Sequence, residues 1–76
     1  MIPELTTIVL LEDIPAHRLR KGDIGTVALA HSSGGYEVEF MTLTGDTVAV
    51  ISLSESQVRP IGPGEIANAR ALEQAS

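Results

Sequence analysis

Two histidines, two glutamates on one strand face and a cluster of cations are the side chains here that could do chemistry. His17 and His31 could each carry a proton or ligate a metal. Neither has a Glu or Asp at a ligand spacing, and no helix offers an i, i+4 pair, so both read as surface histidines. Glu37 and Glu39 lie roughly 6.5–7 Å apart by strand rise. That separation could hold a catalytic carboxylate pair. Their alternation with Tyr36, Val38 and Phe40 already accounts for them as a solvated strand face, and so small a domain is expected to hold no pocket of useful size. Gly34 and Gly35 precede a strand rather than a helix, with no lysine after them; they read as a hairpin turn, not a phosphate loop.

The cations are more informative. His17, Arg18, Arg20 and Lys21 sit together and hold three of the five Lys and Arg residues. This loop could take an acidic partner, a phosphate or the acidic face of a second copy. The competing reading is a solvated loop balanced by Glu12, Asp13 and Asp23. The residues thus offer a partner-binding loop but no catalytic, cofactor-binding or metal site, and an enzyme is not expected.

Composition narrows the class further. Seventy-six residues make one domain with a marginal core. Tyr36 and Phe40 are the only aromatic residues, so the core must be built from Ile, Val, Leu and Ala. Two rings on one buried parity make neither a groove for proline-rich ligands nor a stacking platform for single strands. A net charge of -5 also argues against a nucleic-acid partner, whose phosphates ask for a basic surface. The chain has no cysteine, and no apolar run approaches the roughly 20 residues that cross a bilayer. The N-terminus lacks the pattern of a signal peptide. The expected setting is cytoplasmic, with no membrane partner.

The elements that must position these residues are mostly strands. Thr6–Leu11 is β-branched and apolar on both parities, as in a strand covered on both faces. Glu12–Lys21, with Pro15, reads as a long loop. Gly22-Asp23 has turn chemistry, and Gly25 signals a bulge or a close backbone approach. Thr26–His31 places Val27 and Leu29 on one face. After Ser32–Gly35, Tyr36–Phe40 is the cleanest strand of the chain. Thr44-Gly45-Asp46 is a hairpin turn, Thr47–Leu53 a further strand, and Ser54-Glu55-Ser56 a single tight helical turn. Gln57–Ile61 is a short strand confined to an edge by Pro60. Residues 1–61 then form an all-β, five-stranded SH3-like barrel, with Ile8, Leu10, Val27, Leu29, Val38, Phe40, Val48, Val50 and Val58 as its core. Residues 62–76 form a tail. Within it, Ile66, Ala69 and Leu72 predict a short helix over Glu65–Gln74, with Glu65 at its positive end. A helix so short must dock, on its own barrel or on a second copy in a homodimer.

Several stretches carry a family resemblance: Asp13-Ile-Pro15, Lys21-Gly-Asp-Ile-Gly-Thr-Val27, Tyr36-Glu-Val-Glu-Phe40, Gly45-Asp-Thr-Val48 and Gln57-Val-Arg-Pro60. Together they resemble the bacterial domain-of-unknown-function family 4926 over residues 3–61. That family is itself uncharacterised and assigns no role. The stretch from Gly22 to Val27 is also similar to the KOW motif of ribosomal and transcription-factor barrels, which supports a barrel more than RNA binding. The expectation is a protein-interaction or regulatory module, of the antitoxin or immunity kind, with no cofactor. Its alternatives are a KOW-like nucleic-acid binder using the basic loop, and an accessory domain assisting a partner enzyme.

Overall fold

The computed structural model describes residues 1–72. Among them, five antiparallel strands form one sheet: β1 (Thr7–Leu10), β2 (Ile24–Ala30), β3 (Tyr36–Met41), β4 (Thr47–Leu53) and β5 (Val58–Pro60). The order across the sheet is β4-β3-β2-β1-β5. β3 and β4 each follow the preceding strand by a short turn, β2 follows β1 across the longer loop of residues 11–23, and β5 returns to lie beside β1. No helix is long and apolar enough to cross a membrane among the described residues.

β3 organises the sheet, because its alternation is complete. Tyr36, Val38 and Phe40 are buried while Glu37 and Glu39 face outward. Val38 lies opposite Val27 on β2 and Ile51 on β4, so one inward row crosses three strands. The core is Ile8, Leu10, Leu19, Val27, Tyr36, Val38, Phe40, Leu53 and Val58, with Ile2, Ile14, Ala30, Val48 and Ile51 packed against it. The Tyr36 hydroxyl, the one polar tip among these side chains, accepts the Ile2 N–H at 2.9 Å. This pins the N-terminal arm over the core and satisfies a buried polar atom.

Two core assignments are overturned, and both failures come from register. The pairing of β2 with β3 shifts between Val27 and Leu29, so Leu29 falls opposite the outward Glu37 and is exposed. Strict alternation had placed it inside, but a bulge resets the parity of every residue beyond it. On β4, Ala49, Ile51 and Leu53 pair with the inward residues of β3, and a second shift lies between Phe40 and Met41. Val50 therefore sits beside Glu39 and is half exposed, while Val48 is only partly buried. β4 is apolar on both parities, so composition alone could not choose its inward face. β1 departs from expectation more mildly: Ile8 and Leu10 are buried, Val9 is intermediate and Thr7 is exposed.

Local chemistry explains the connections. The loop before β2 contains a 3-10 turn at Pro15–His17, where proline at the start forfeits an N–H that has no helical partner anyway. A bridge between Ile14 and Leu19 closes this loop and drives Leu19 into the core. The single helical turn expected after β4 is a 3-10 turn at Glu55–Gln57, and Gln57 Oε1 accepts the Ser54 N–H at 2.8 Å. Gly25 is not the bulge itself but the close approach. A Cβ there would lie 2.8 Å from Val38 Cγ1 and 2.9 Å from Phe40 Cε1.

Among the described residues the expected C-terminal helix is not seen. Residues 65–72 have no regular secondary structure, and the end of the expected helix, including Gln74, lies outside the described residues. Glu65 does not sit at a helix start: its carboxylate accepts the Gly62 N–H at 2.6 Å and grips Arg59 through two N–H groups at 2.7 Å. The helix that spacing predicts would have needed a packing surface for Ile66, yet Ile66 is 94% exposed. A short helix without such a surface is unstable in water.

Candidate interaction groove

The tail crosses the sheet instead of coiling. Its near end is held by the Arg59–Glu65 pair, and its far end by Arg70. Arg70 donates from Nε to Asp23 Oδ1 at 2.8 Å and from Nη2 to Asp23 Oδ2 at 2.5 Å. Nη2 also donates to the Arg18 carbonyl at 3.0 Å. This two-pronged geometry matches a planar guanidinium to a carboxylate.

Asp23 is also held by its own loop. Its Oδ2 accepts the Arg20 N–H at 2.8 Å, while Asp13 Oδ1 accepts the Lys21 N–H at 2.9 Å. Two carboxylates thus build the loop that precedes β2. Burial pushes the Asp23 carboxyl up, but the hydrogen bond from Arg70, the Arg20 amide and the two cationic charges outweigh it and hold it below its ordinary value. The charges of Arg59 and Glu65 reinforce each other in the same way. The Arg59 guanidinium and the Gly62 amide hold the Glu65 carboxyl down to about 2.

Between the tail and the sheet lies a groove of about 750 Å³. Its walls are Leu19, Ile24, Phe40, Met41, Leu43 and Val48 on the sheet side, and residues 67–72 on the tail side. Leu43, on the turn between β3 and β4, is 86% exposed, and Ile24 and Met41 are exposed beside it. Gly45 completes that turn with φ +99°, a conformation that strains any residue with a side chain. The groove combines an apolar wall with one buried-edge ion pair, the combination that fixes both affinity and orientation of a bound segment.

The basic loop lies beside the Arg70–Asp23 pair. Arg18, Arg20 and Lys21 are exposed; the Arg18 carbonyl accepts from Arg70, the Arg20 N–H donates to Asp23 and the Lys21 N–H donates to Asp13. His17 ends the 3-10 turn and is exposed. Gly22, with φ +97°, turns the chain into Asp23. Asp23 and Arg70 themselves were missed as a site. The first read as a turn residue, and the second stands 47 positions away with no pattern linking them.

A second constellation lies on the outer face. Glu37 Oε2 accepts from Ser52 Oγ and lies 3.2 Å from His31 Nε2. Sequence gave His31 no carboxylate partner, because a six-residue separation becomes a contact only when the turn at residues 32–35 folds it back. The order of these groups matters. A nucleophilic serine needs the imidazole between it and the carboxylate, whereas here the carboxylate stands between. Ser52 and His31 together hold the Glu37 carboxyl below its ordinary value. Among the described residues, no three His, Asp or Glu side chains gather as they would around a metal.

A small antiparallel β domain carrying an apolar groove beside an arginine–aspartate pair is the class these features define. Residues 4–60 match the family described as domain of unknown function DUF4926, and the chain belongs to that family. No curated protein and no solved structure matches the chain.

Proposed function

We propose that this domain is a small SH3-like barrel that works as a protein-interaction module, without chemistry of its own, and that its binding site is the groove under the tail. The observation that carries this reading is the cluster of Ile24, Met41 and Leu43, large apolar side chains left exposed along one wall of a groove of about 750 Å³. Contiguous exposed apolar surface in so small a domain marks an interaction site. The strand order β4-β3-β2-β1-β5 and the 3-10 turn before β5 support the barrel. The carboxylate-centred arrangement of Ser52, Glu37 and His31 supports a binding rather than a catalytic role. The antitoxin-like, immunity-like and enzyme-accessory roles are forms of this one activity and differ only in the partner. The test is affinity capture with the full chain from its native cells, repeated with Leu43→Asp and with Ser33→Asp as a control outside the groove. A specific partner is retained by the wild type and the control and lost, at least tenfold, by Leu43→Asp. Retention by Leu43→Asp rejects the groove, and recovery of nucleic acid in place of protein favours the KOW-like alternative.

A further inference from the structure

We propose that the segment the groove receives is an extended, arginine-bearing, apolar stretch of a partner protein, and that the tail is its resident substitute. This rests on the reading of the groove as a protein-binding site. Three acceptors converge on one guanidinium: both oxygens of Asp23 and the Arg18 carbonyl, at 2.5 to 3.0 Å. A planar fork satisfies all three at once, whereas a lysine ammonium meets them only as a point charge. The seat is built into the domain, since Asp23 is oriented by the Arg20 amide whatever occupies it. A net charge of -5 adds a general bias toward cationic partners.

The tail fills this seat with Arg70 and sets one large apolar side chain, Leu72, half-buried along the groove. Its side chains along the groove are mostly small, with Ala67, Ala69 and Ala71 flanking Arg70, and Ile66 points to solvent. The groove stays open beside it, with Leu43 and Met41 uncovered. A segment with the same arginine and larger apolar neighbours therefore gains contacts that the tail forgoes. Release is local. Gly62-Pro63-Gly64 precedes the crossing segment, Gly64 at φ +80°, and the Arg59–Glu65 pair keeps the near end tethered. The tail then acts as a tethered competitor that sets a threshold for partner binding.

The test uses the full chain and a fluorescein-labelled peptide, Ile-Leu-Asn-Leu-Arg-Leu-Leu, which is the 66–72 sequence with leucine at its three alanines. Fluorescence anisotropy is expected to show saturable binding to the wild type and at least tenfold tighter binding to Arg70→Ala, whose seat is vacant. Replacing the peptide's arginine by norleucine should weaken binding to Arg70→Ala at least tenfold, and replacement by lysine severalfold. Because the decisive change is in the peptide, folding of a variant does not cloud it. Absence of binding to Arg70→Ala, or equal binding of the arginine and norleucine peptides, overturns the proposal. If either occurs while a captured partner still depends on Leu43, the groove remains an interaction site and only the arginine requirement falls.

Discussion

Arg70 seats its guanidinium on Asp23, 47 residues earlier in the chain, with Nε 2.8 Å from Oδ1 and Nη2 2.5 Å from Oδ2. This pair makes residues 67–72, which have no regular secondary structure, one wall of a groove. Arg70→Ala should free residues 66–72 while leaving the sheet intact. The pair anchors only the tail, whose local opening is separate from global unfolding, so the urea midpoint should move little. Backbone 15N heteronuclear NOEs should fall in residues 66–72 and stay unchanged in β3. A large loss of global stability would show that the tail belongs to the core.

Acid should release the same tail. The Asp23 carboxyl lies below its ordinary value, and Glu65 is held down to about 2. A depressed carboxylate stabilises the folded arrangement above its unfolded pKa, near 4, and loses that contribution as pH falls through the folded value. Both clamps should therefore be intact above about pH 5 and weaken between about pH 4 and pH 2. The Arg59 and Arg70 Nη–H resonances report this directly: they should be resolved at neutral pH, where a carboxylate holds each guanidinium still, and broadened by its rotation near pH 2. Broadening already at pH 6 would contradict the assigned partners.

How much of this was legible in the sequence differs by element. β3 could be read in full, because Glu37 and Glu39 mark its outward parity without ambiguity. The inward parity of β4 could not, since Val48, Ala49, Val50 and Ile51 are all apolar and only pairing with β3 decides between them. The basic loop was visible as a charge cluster, but its contribution is a carbonyl and a neighbouring aspartate, which composition does not display. The tail misled because Ile66, Ala69 and Leu72 have helical spacing, while the forces that act on it are two ion pairs outside any local pattern.

Register makes a paired prediction. Phe40 is buried between strands, and truncation to alanine should cost about 3–5 kcal/mol, much of what a small domain has. Leu29 and Val50 are equally apolar, yet each lies opposite an outward glutamate. Leu29→Ala and Val50→Ala should each stay within about 0.5 kcal/mol of the parent in urea unfolding. A Leu29→Ala loss as large as that of Phe40→Ala would restore uninterrupted alternation along β2.

Gly25 offers a test of packing that is independent of the tail. An added methyl meets Val38 Cγ1 at 2.8 Å, Phe40 Cε1 at 2.9 Å and the Glu39 carbonyl at 3.0 Å. The carbonyl belongs to a paired strand and cannot give way cheaply. Gly25→Ala should destabilise by about 1–3 kcal/mol, as overpacking does. Unchanged thermal stability would mean that β2 and β3 lie further apart than described.

Under the proposed function, the domain meets its partner at the groove beside Asp23. Chemical-shift mapping with the captured partner tests it most directly, using methyl and backbone resonances of the full chain. Changes are expected at Leu19, Ile24, Met41, Leu43 and Leu72, together with loss of the Arg70 Nε–H contact to Asp23. Changes confined to the outer face, at Leu29, His31, Val50 and Ser52, with the groove resonances and the Arg70 signal unmoved, would contradict it.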